Sequence, residues 1–310
     1  MSKCSKLLVL VAGIVLVAGV SFADVTNDMA AAKALYANKQ YVESQVAFEK
    51  VLKDYPTAPV SILADAQCLV GHSLLIQGKH TEAQVAFEKV LKDYPTAPVS
   101  ILADAQCHVG YSLYSQGKPL DAQVAYEKVI KDYPTASVNT LANAQHYVGH
   151  SLYSQGKPLD AQVAFEKVLK DYPTASVNTL ANAQTYIGHS LRSQGKYLDA
   201  QVAFEKVIKD YPTASVNTLA NAQNYIGHSL RSQGKQVEAT EAYIKAVILY
   251  ARVPNVASKT LVDVFSRINP ALMITADYTV ALQDIIKATP ATEANAEFLG
   301  RIKSELEKMK

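Results

Sequence analysis

The sequence predicts an all-α protein, a solenoid of about six stacked helical hairpins followed by a C-terminal helical cap. The first observation is a 39-residue repeat, because the segment 47–56 returns with conservative changes at residues 86, 125, 164 and 203. The second is that each copy holds two stretches whose apolar residues recur three and four positions apart, as on one helical face. Neither helix could bury such a face alone, so neighbouring hairpins are expected to stack.

The first 23 residues are predicted to be a secretory signal peptide. Lys3 and Lys6 form a short basic start, residues 7–20 are apolar or glycine, and Ser21 and Ala23 are small residues where a signal peptidase would read them. We expect cleavage after Ala23 and export of the protein. The apolar run of 14 residues is short for a membrane span, so no span is expected after cleavage, and a retained anchor is the alternative.

The fourth copy shows how each hairpin is expected to form. Residues 136–155 read as the first helix, and Gly156 ends it as a residue that can adopt the left-handed conformation. Pro158 stands where the second helix begins, a place where a missing N–H costs nothing. Pro173 then stops that helix, because proline disfavours the helical conformation in the residue before it.

Six residues of this copy, with spacings that match without a gap, resemble the signature of the tetratricopeptide repeat family: Gly149, Leu152, Gly156, Ala161, Phe165 and Pro173. The same types recur in the copies that start from Gly71, Gly110, Gly188 and Gly227, except that Ala251 replaces the proline of the last one, and the resemblance covers roughly residues 27–251. It implies a right-handed superhelix whose concave groove holds protein partners. Lengthened units that end in Tyr-Pro are similar to periplasmic bacterial members, such as the Tol–Pal-associated cell-division coordinators and the outer-membrane assembly lipoproteins. That similarity implies a periplasmic protein with envelope partners, and secretion from the cell is the alternative.

Two features depart from the family pattern. The unit is five residues longer than the family's 34, and we expect the excess, between Pro173 and Ala183, to add about one and a half turns to the first helix. Glutamine also replaces the large aromatic residue that opens the motif, at Gln67, Gln106, Gln145, Gln184 and Gln223.

The chain therefore divides into a signal peptide (1–23), a repeat array (24–255) and a C-terminal helical cap (256–310). Residues 256–268, 276–288 and 291–310 of the cap each read as helical, with Thr289-Pro290 as the start of the last helix.

Three positions on the first helices vary from copy to copy and share one helical face. They lie three residues before, one residue after and four residues after the signature glycine. The resemblance places this face in the concave groove, so the predicted partner-binding residues are Cys68, His72, Leu75, Cys107, Tyr111, Tyr114, His146, His150, Tyr153, Thr185, His189, Arg192, Asn224, His228 and Arg231. The alternative is neutral drift at unconstrained surface positions. Drift should also scatter changes over the second helix, whereas five positions there keep their residue types in nearly every copy: Gln162, Glu166, Lys167, Lys170 and Asp171.

Histidines and cysteines on the same face are candidate metal ligands, and the two cysteines are a candidate disulfide. Cys68 with His72, and His146 with His150, lie four residues apart, but a zinc site needs a third ligand and Asp65 is two turns from His72. No metal and no cofactor are therefore expected, although the histidine column could make the groove sensitive to pH near 6. Cys68 and Cys107 occupy equivalent places on successive helices, which pack about 8–10 Å apart, so two free, partly buried thiols are expected.

Composition and missing motifs exclude several functions. Cleavage would remove two of the 30 basic residues and none of the 28 acidic ones, leaving 28 of each, so a nucleic-acid-binding surface is not indicated. The sequence contains no nucleophile elbow, phosphate-binding loop or dinucleotide fingerprint, so no enzyme is expected. The leading prediction is a protein–protein interaction scaffold that grips a peptide or helix. A self-assembling solenoid, which would be a homo-oligomer, and a small-ligand or metal binder using the histidine column are the alternatives.

Overall fold

A computed structural model describes residues 22–253, 256–273 and 275–308. The secondary structure of these residues is helical throughout, with no strand, which confirms the all-α prediction. The predicted signal peptide falls on residues 1–21, outside the described ones, and on the first two residues of the first helix, so it stays a prediction. None of the helices in the described ranges combines the length and the apolar character needed to cross a membrane.

The described part of residues 1–137 forms three helical hairpins. They are α1 (Phe22–Ala37) with α2 (Tyr41–Asp54), α3 (Val60–Ile76) with α4 (His80–Asp93), and α5 (Val99–Ser115) with α6 (Pro119–Asp132). Each helix packs against the next one along the chain, and α3 also contacts α5. Phe48, Phe87 and Tyr126, one from each second helix, are buried at the centre of their hairpins.

The described part of residues 138–310 contains three more hairpins and a non-repeating tail. The hairpins are α7 (Val138–Ser154) with α8 (Pro158–Asp171), α9 (Val177–Ser193) with α10 (Tyr197–Asp210), and α11 (Val216–Ser232) with α12 (Gln236–Ala251). The tail contains α13 (Ser258–Phe265), α14 (Thr275–Ala288), α15 (Ala296–Glu307) and two short 3-10 turns, Pro270–Leu272 and Glu293–Asn295. One apolar core runs from Ala142 to Ile302 through this unit.

Helix lengths confirm that the extra five residues of each unit extend the first helix. The first helices α3, α5, α7, α9 and α11 each have 17 residues, and the second helices α4, α6, α8 and α10 each have 14. The helix α12 continues to 16 residues because Ala251 stands where the other copies have proline.

Two glycines fix the geometry of each hairpin, as the fourth one illustrates. A Cβ atom on Gly149 would lie 2.7 Å from Cε1 of Phe165, so only glycine lets the two helices approach this closely. Gly156 has a φ of +74° and turns the chain from α7 into α8, as predicted.

The opening glutamine of four copies ties the two helices of its hairpin together. Nε2 of Gln145 donates to the backbone carbonyl of Ala164 at 3.1 Å, and Gln67, Gln106 and Gln184 make the same bond in their own hairpins. These side chains are buried, and a buried amide needs such a partner. The bond gives a structural reason for the departure from the aromatic residue of the family.

The tail packs on the last hairpin through α13 and α14, which both contact α12. Its helices lie close to the predicted ranges, but the predicted start of the last helix at Thr289-Pro290 is wrong. Oγ1 of Thr289 donates to the carbonyl of Ile285 at 2.7 Å, so this residue ends α14. The helix α15 begins seven residues later, at Ala296.

Candidate partner-binding groove

A concave pocket of about 590 Å³ opens between the first helices α7, α9 and α11. Its walls consist of imidazole, phenol, amide and hydroxyl groups, contributed by His146, Tyr147, His150, Asn182, Thr185, Tyr186, His189, Ser215, Asn217, Thr218, Asn221 and Tyr225. Four predicted groove residues, His146, His150, Thr185 and His189, are therefore brought together in one pocket. The side chains that line it carry no carboxylate.

The positions three residues before the signature glycine lie deepest. Cys68, Thr185 and Asn224 are only 4%, 6% and 7% exposed, and Cys107 and His146 are half-buried. Little of these side chains is accessible to a partner. They therefore pack below the surface of the groove and support the side chains that line it. They are less accessible than the shared helical face suggested.

The positions one and four residues after the glycine are more accessible. Tyr111 is 43% exposed and Arg231 is exposed. The other predicted residues at these positions are half-buried: His72, Leu75, Tyr114, His150, Tyr153, His189, Arg192 and His228.

A fourth variable position, two residues before the glycine, also lines the groove and was missed by the sequence reasoning. Tyr186 stacks on Phe165 with ring centroids 5.2 Å apart, and Tyr225 stacks on Phe204 at 5.5 Å. His108 lies at the same position in the third hairpin and stacks on Phe87 at 5.1 Å. The signal was available in the copies, which hold Leu69, His108, Tyr147, Tyr186 and Tyr225 at this place.

The residue one place after the glycine bonds to the next hairpin. Nε2 of His150 lies 2.9 Å from the hydroxyl of Tyr186, and Nε2 of His72 lies 3.3 Å from Oδ2 of Asp104. In the first hairpin Lys33 stands at this place, and its Nζ lies 2.8 Å from Asp65. A polar seam therefore joins neighbouring first helices along the groove, and its chemistry changes from one hairpin to the next.

Burial keeps the groove histidines of α7, α9 and α11 neutral. Desolvation lowers the pKa of His146 to about 3, and desolvation together with the nearby Arg192 lowers that of His189 to about 4. The pKa of His228 is lowered to about 4 by desolvation and by Arg267. The expectation of a groove that titrates near pH 6 is therefore wrong for these residues, since they stay uncharged well below that pH.

Arginines make one end of this groove positive. The guanidinium carbon of Arg192 lies 5.4 Å from the ring centroid of Tyr225, in a cation–π arrangement. Arg267 donates to Oδ1 of Asn224 at 2.9 Å and pairs with Asp263 at 2.6 Å. After desolvation, Arg267, Arg192 and the exposed Arg231 add to the lowering of the pKa of His228, and Asp263 partly opposes them.

Some positions on the second helices keep their residue types from copy to copy for a structural reason. Nε2 of Gln194 donates to Oε1 of Gln162 at 2.9 Å, and Nε2 of Gln162 donates to Glu166 at 2.8 Å. Gln162 therefore joins neighbouring hairpins and Glu166 supports it from the same helix, so only Lys167, Lys170 and Asp171 still argue against drift in the groove.

Both described cysteines are free, which confirms the prediction of unbridged thiols. Burial raises the pKa of Cys107 to about 12 and that of Cys68 further, so neither forms a thiolate readily. A set of three potential metal ligands does exist in the described residues, and it shares only His72 with the candidates from the sequence. One ligand atom each from His72, Asp104 and His108 lie within 4.8 Å of one another.

Comparison with known proteins decides the family of the repeats. A family model described as tetratricopeptide repeat matches residues 29–58, 66–97, 104–136 and 182–214. The chain carries tetratricopeptide repeats. Its sequence matches none of the curated proteins searched.

Solved structures of other tetratricopeptide proteins share this fold. The C-terminal part of a repeat-containing protein from Cytophaga hutchinsonii is 16% identical with a TM-score of 0.57, covering 87% of this chain and 99% of that one. A tetratricopeptide repeat protein from Parabacteroides merdae is 13% identical with a TM-score of 0.56, covering 90% and 98%. PilW, a type IV pilus biogenesis factor, is 18% identical with a TM-score of 0.56, covering 74% and 94%. The tetratricopeptide fold supports, in general, a scaffold for protein–protein interaction.

Proposed function

We propose that the chain is a non-enzymatic scaffold of the cell envelope that binds a peptide or helix of a partner protein on the concave face of its first helices. The observation that carries this proposal is the pocket of about 590 Å³ between α7, α9 and α11. Tyrosines, asparagines and neutral histidines from three successive hairpins line it, and such groups offer both apolar contact and hydrogen bonds. Tyrosine and arginine are also the residues that most often anchor a protein interface.

The charge of the groove favours a partner segment with an acidic group at one end. The pocket walls hold no carboxylate, and Arg192 lies over the ring of Tyr225, one of the lining residues. Arg231 holds the position of Arg192 in the next hairpin. A carboxylate of the partner could bind these guanidinium groups, and arginine suits carboxylates because of its paired N–H donors. The remainder of the segment would lie along Tyr186 and Tyr225.

The proposed location in the envelope, with the periplasm as the compartment, is supported by the amino-terminal pattern of residues 1–23 and by the similarity of the lengthened units to periplasmic proteins. Fusion of a reporter that is active only outside the cytoplasm after residue 40 tests the export. An inactive reporter would contradict the location while leaving the groove proposal standing.

The groove is tested by capture from an envelope extract with two matched variants. Arg192→Gln with Arg231→Gln removes two positive charges from the groove, and Lys167→Gln with Lys206→Gln removes two from the exposed sides of second helices. We expect the first variant to recover the captured partner at least about tenfold less well than the wild type, as loss of an interface anchor would cause. The second variant should match the wild type. Equal recovery by both variants would overturn the proposal, and light scattering that shows only self-association would favour a homo-oligomer instead.

A further inference from the structure

We propose that His72, Asp104 and His108 form a binding site for one divalent transition-metal ion of the zinc class, held between the second and third hairpins. The site lies within residues 22–137 and is independent of the groove between α7, α9 and α11. His72 comes from α3, and Asp104 and His108 come from one turn of α5. An ion bound here would join two first helices that otherwise meet only through side-chain packing and weak polar contacts.

The distances between the three side chains suit a metal centre. Nε2 of His72 lies 3.3 Å from Oδ2 of Asp104. Two ligands of a tetrahedral zinc ion, each about 2.0–2.1 Å from the metal, are about 3.3 Å apart. The three ligand atoms are within 4.8 Å of one another, so small side-chain rotations would bring all three onto one ion.

The environment of His108 prepares its ring as a ligand. Its Nδ1 lies 2.9 Å from the backbone carbonyl of Asp104, so the tautomer with the proton on Nδ1 donates a hydrogen bond there. That tautomer leaves Nε2 with its lone pair, and metal-binding histidines are commonly oriented by such a bond from the other ring nitrogen. The ring also stacks on Phe87, which restricts its orientation.

The charges around Asp104 favour a divalent cation over a plain ion pair. In the preceding hairpin the equivalent carboxylate, Asp65, pairs with the ammonium group of Lys33. Asp104 instead meets two imidazoles whose ring centroids are 4.3 Å apart. Two imidazoles and a carboxylate are a ligand set that zinc prefers, whereas an ammonium group such as that of Lys33 cannot be a ligand. A single metal ion uses both lone pairs and balances the carboxylate.

The repeat supplies an internal comparison that separates this site from the ordinary seam. His72 and His150 hold the same place in their hairpins, but the places of Asp104 and His108 are taken by Asn182 and Tyr186 two hairpins later. Asp104 and His108, the two proposed ligands on α5, are thus both replaced in the fifth hairpin. There the hydroxyl of Tyr186 bonds His150 instead. The Asp104 side chain is 49% exposed, so an ion can enter from solvent and water can complete its coordination.

The test is isothermal titration of zinc chloride into the purified, tag-free and metal-free chain at pH 7.5. We expect one bound equivalent, with no competition from magnesium, because imidazole ligands favour zinc over magnesium. The variant Asp104→Asn with His108→Tyr carries the residues that the fifth hairpin uses at these places, so its fold should be retained, as circular dichroism would verify. Its zinc affinity should fall by at least about 10–100-fold, the loss typical even of a supporting residue.

Two control variants make the assignment specific. Asp65→Asn changes the equivalent carboxylate one hairpin earlier, and His146→Thr changes a second histidine pair to the residue found in the fifth hairpin. Both controls should bind zinc as the wild type does. The proposal would be overturned by a wild type that binds no zinc, by unchanged binding in the Asp104→Asn, His108→Tyr variant, or by an equal loss in either control.

Discussion

The interface between the second and third hairpins and the interface between the fourth and fifth use the same backbone positions for different chemistry. In the first, His72 meets the carboxylate of Asp104 and the ring of His108. In the second, His150 accepts or donates a hydrogen bond at the hydroxyl of Tyr186. Both histidines lie on the same face of a 17-residue helix, and both interfaces rest on a buried phenylalanine. The repeat thus fixes where side chains meet, and two differences in one helix change which groups meet there.

The largest effect is expected from removing the buried phenylalanine ring under each interface. Phe87→Ala and Phe165→Ala should each destabilise their own hairpins by about 3–5 kcal/mol, the usual cost of truncating a fully buried phenylalanine. Hydrogen exchange measured separately on α3–α4 and α7–α8 gives the two values. If one variant lowers the free energy of unfolding by less than about 1 kcal/mol, the buried phenylalanine does not support the two interfaces in the same way.

The second test is acidification, which should weaken residues 138–253 more than residues 22–137. Residues 138–253 contain four histidines with a lowered pKa: His146, His150, His189 and His228. Residues 22–137 contain one, His108. Below their ordinary pKa of about 6.5 these histidines gain protons in the unfolded state and not in the folded state. Stability should therefore fall from pH 6.5 towards pH 4, by at most about 1.4 kcal/mol per pH unit for each such proton.

Hydrogen exchange at pH 7, 5.5 and 4.5 checks this region by region. Equal protection of residues 138–253 at the three pH values, after correction for the intrinsic exchange rate, would contradict neutral buried histidines. The substitution His189→Tyr, which places the residue of the third hairpin in the fifth, should reduce the slope.

A third test converts one interface into the other and depends on the proposed metal site. Asn182→Asp with Tyr186→His would give His150 the partners that His72 has. We expect a second bound equivalent of zinc in the titration, with an affinity within about tenfold of the first site, since ligand identity and placement set the strength of binding. A chain that still binds only one equivalent would show that these three positions do not suffice.

The smallest effect concerns the single hydrogen bond of the later interface. Tyr186→Phe removes the hydroxyl that lies 2.9 Å from Nε2 of His150 and should cost about 1 kcal/mol. Tyr197→Phe, on a side chain that is 37% exposed, is the matched control and should change the denaturation midpoint very little. Equal effects of the two variants would mean that the hydroxyl adds nothing to the seam.

Most of the fold follows from the sequence because the repeat makes each local signal visible several times. Gly156, Pro158 and Pro173 mark a helix end, a helix start and a helix stop, and the structure places all three as predicted. The tail has no second copy to compare, and there Thr289-Pro290 was misassigned. A threonine before a proline suits either end of a helix. The hydrogen bond from Thr289 to Ile285, which decides between them, is seen only in the folded structure.

The candidate groove was predicted less completely than the fold. The shared helical face identified His146, His150 and His189, which the structure brings into one pocket. It missed Tyr186 and Tyr225, and it missed that His72 meets Asp104 and His108. Contacts within one helix follow from spacing, whereas contacts between successive hairpins depend on their stagger, which one sequence does not reveal.

The most direct test of the central claim is to locate the partner on the surface of the chain. A photo-crosslinking residue is placed in turn at Tyr147, which is 39% exposed in the groove, and at Val202, which is 44% exposed on the second helix α10. After illumination in cells, the crosslinked products are compared by mass and identified by mass spectrometry. We expect a specific product at Tyr147 and none at Val202. A product formed at Val202, or equally at both positions, would contradict binding in the concave groove.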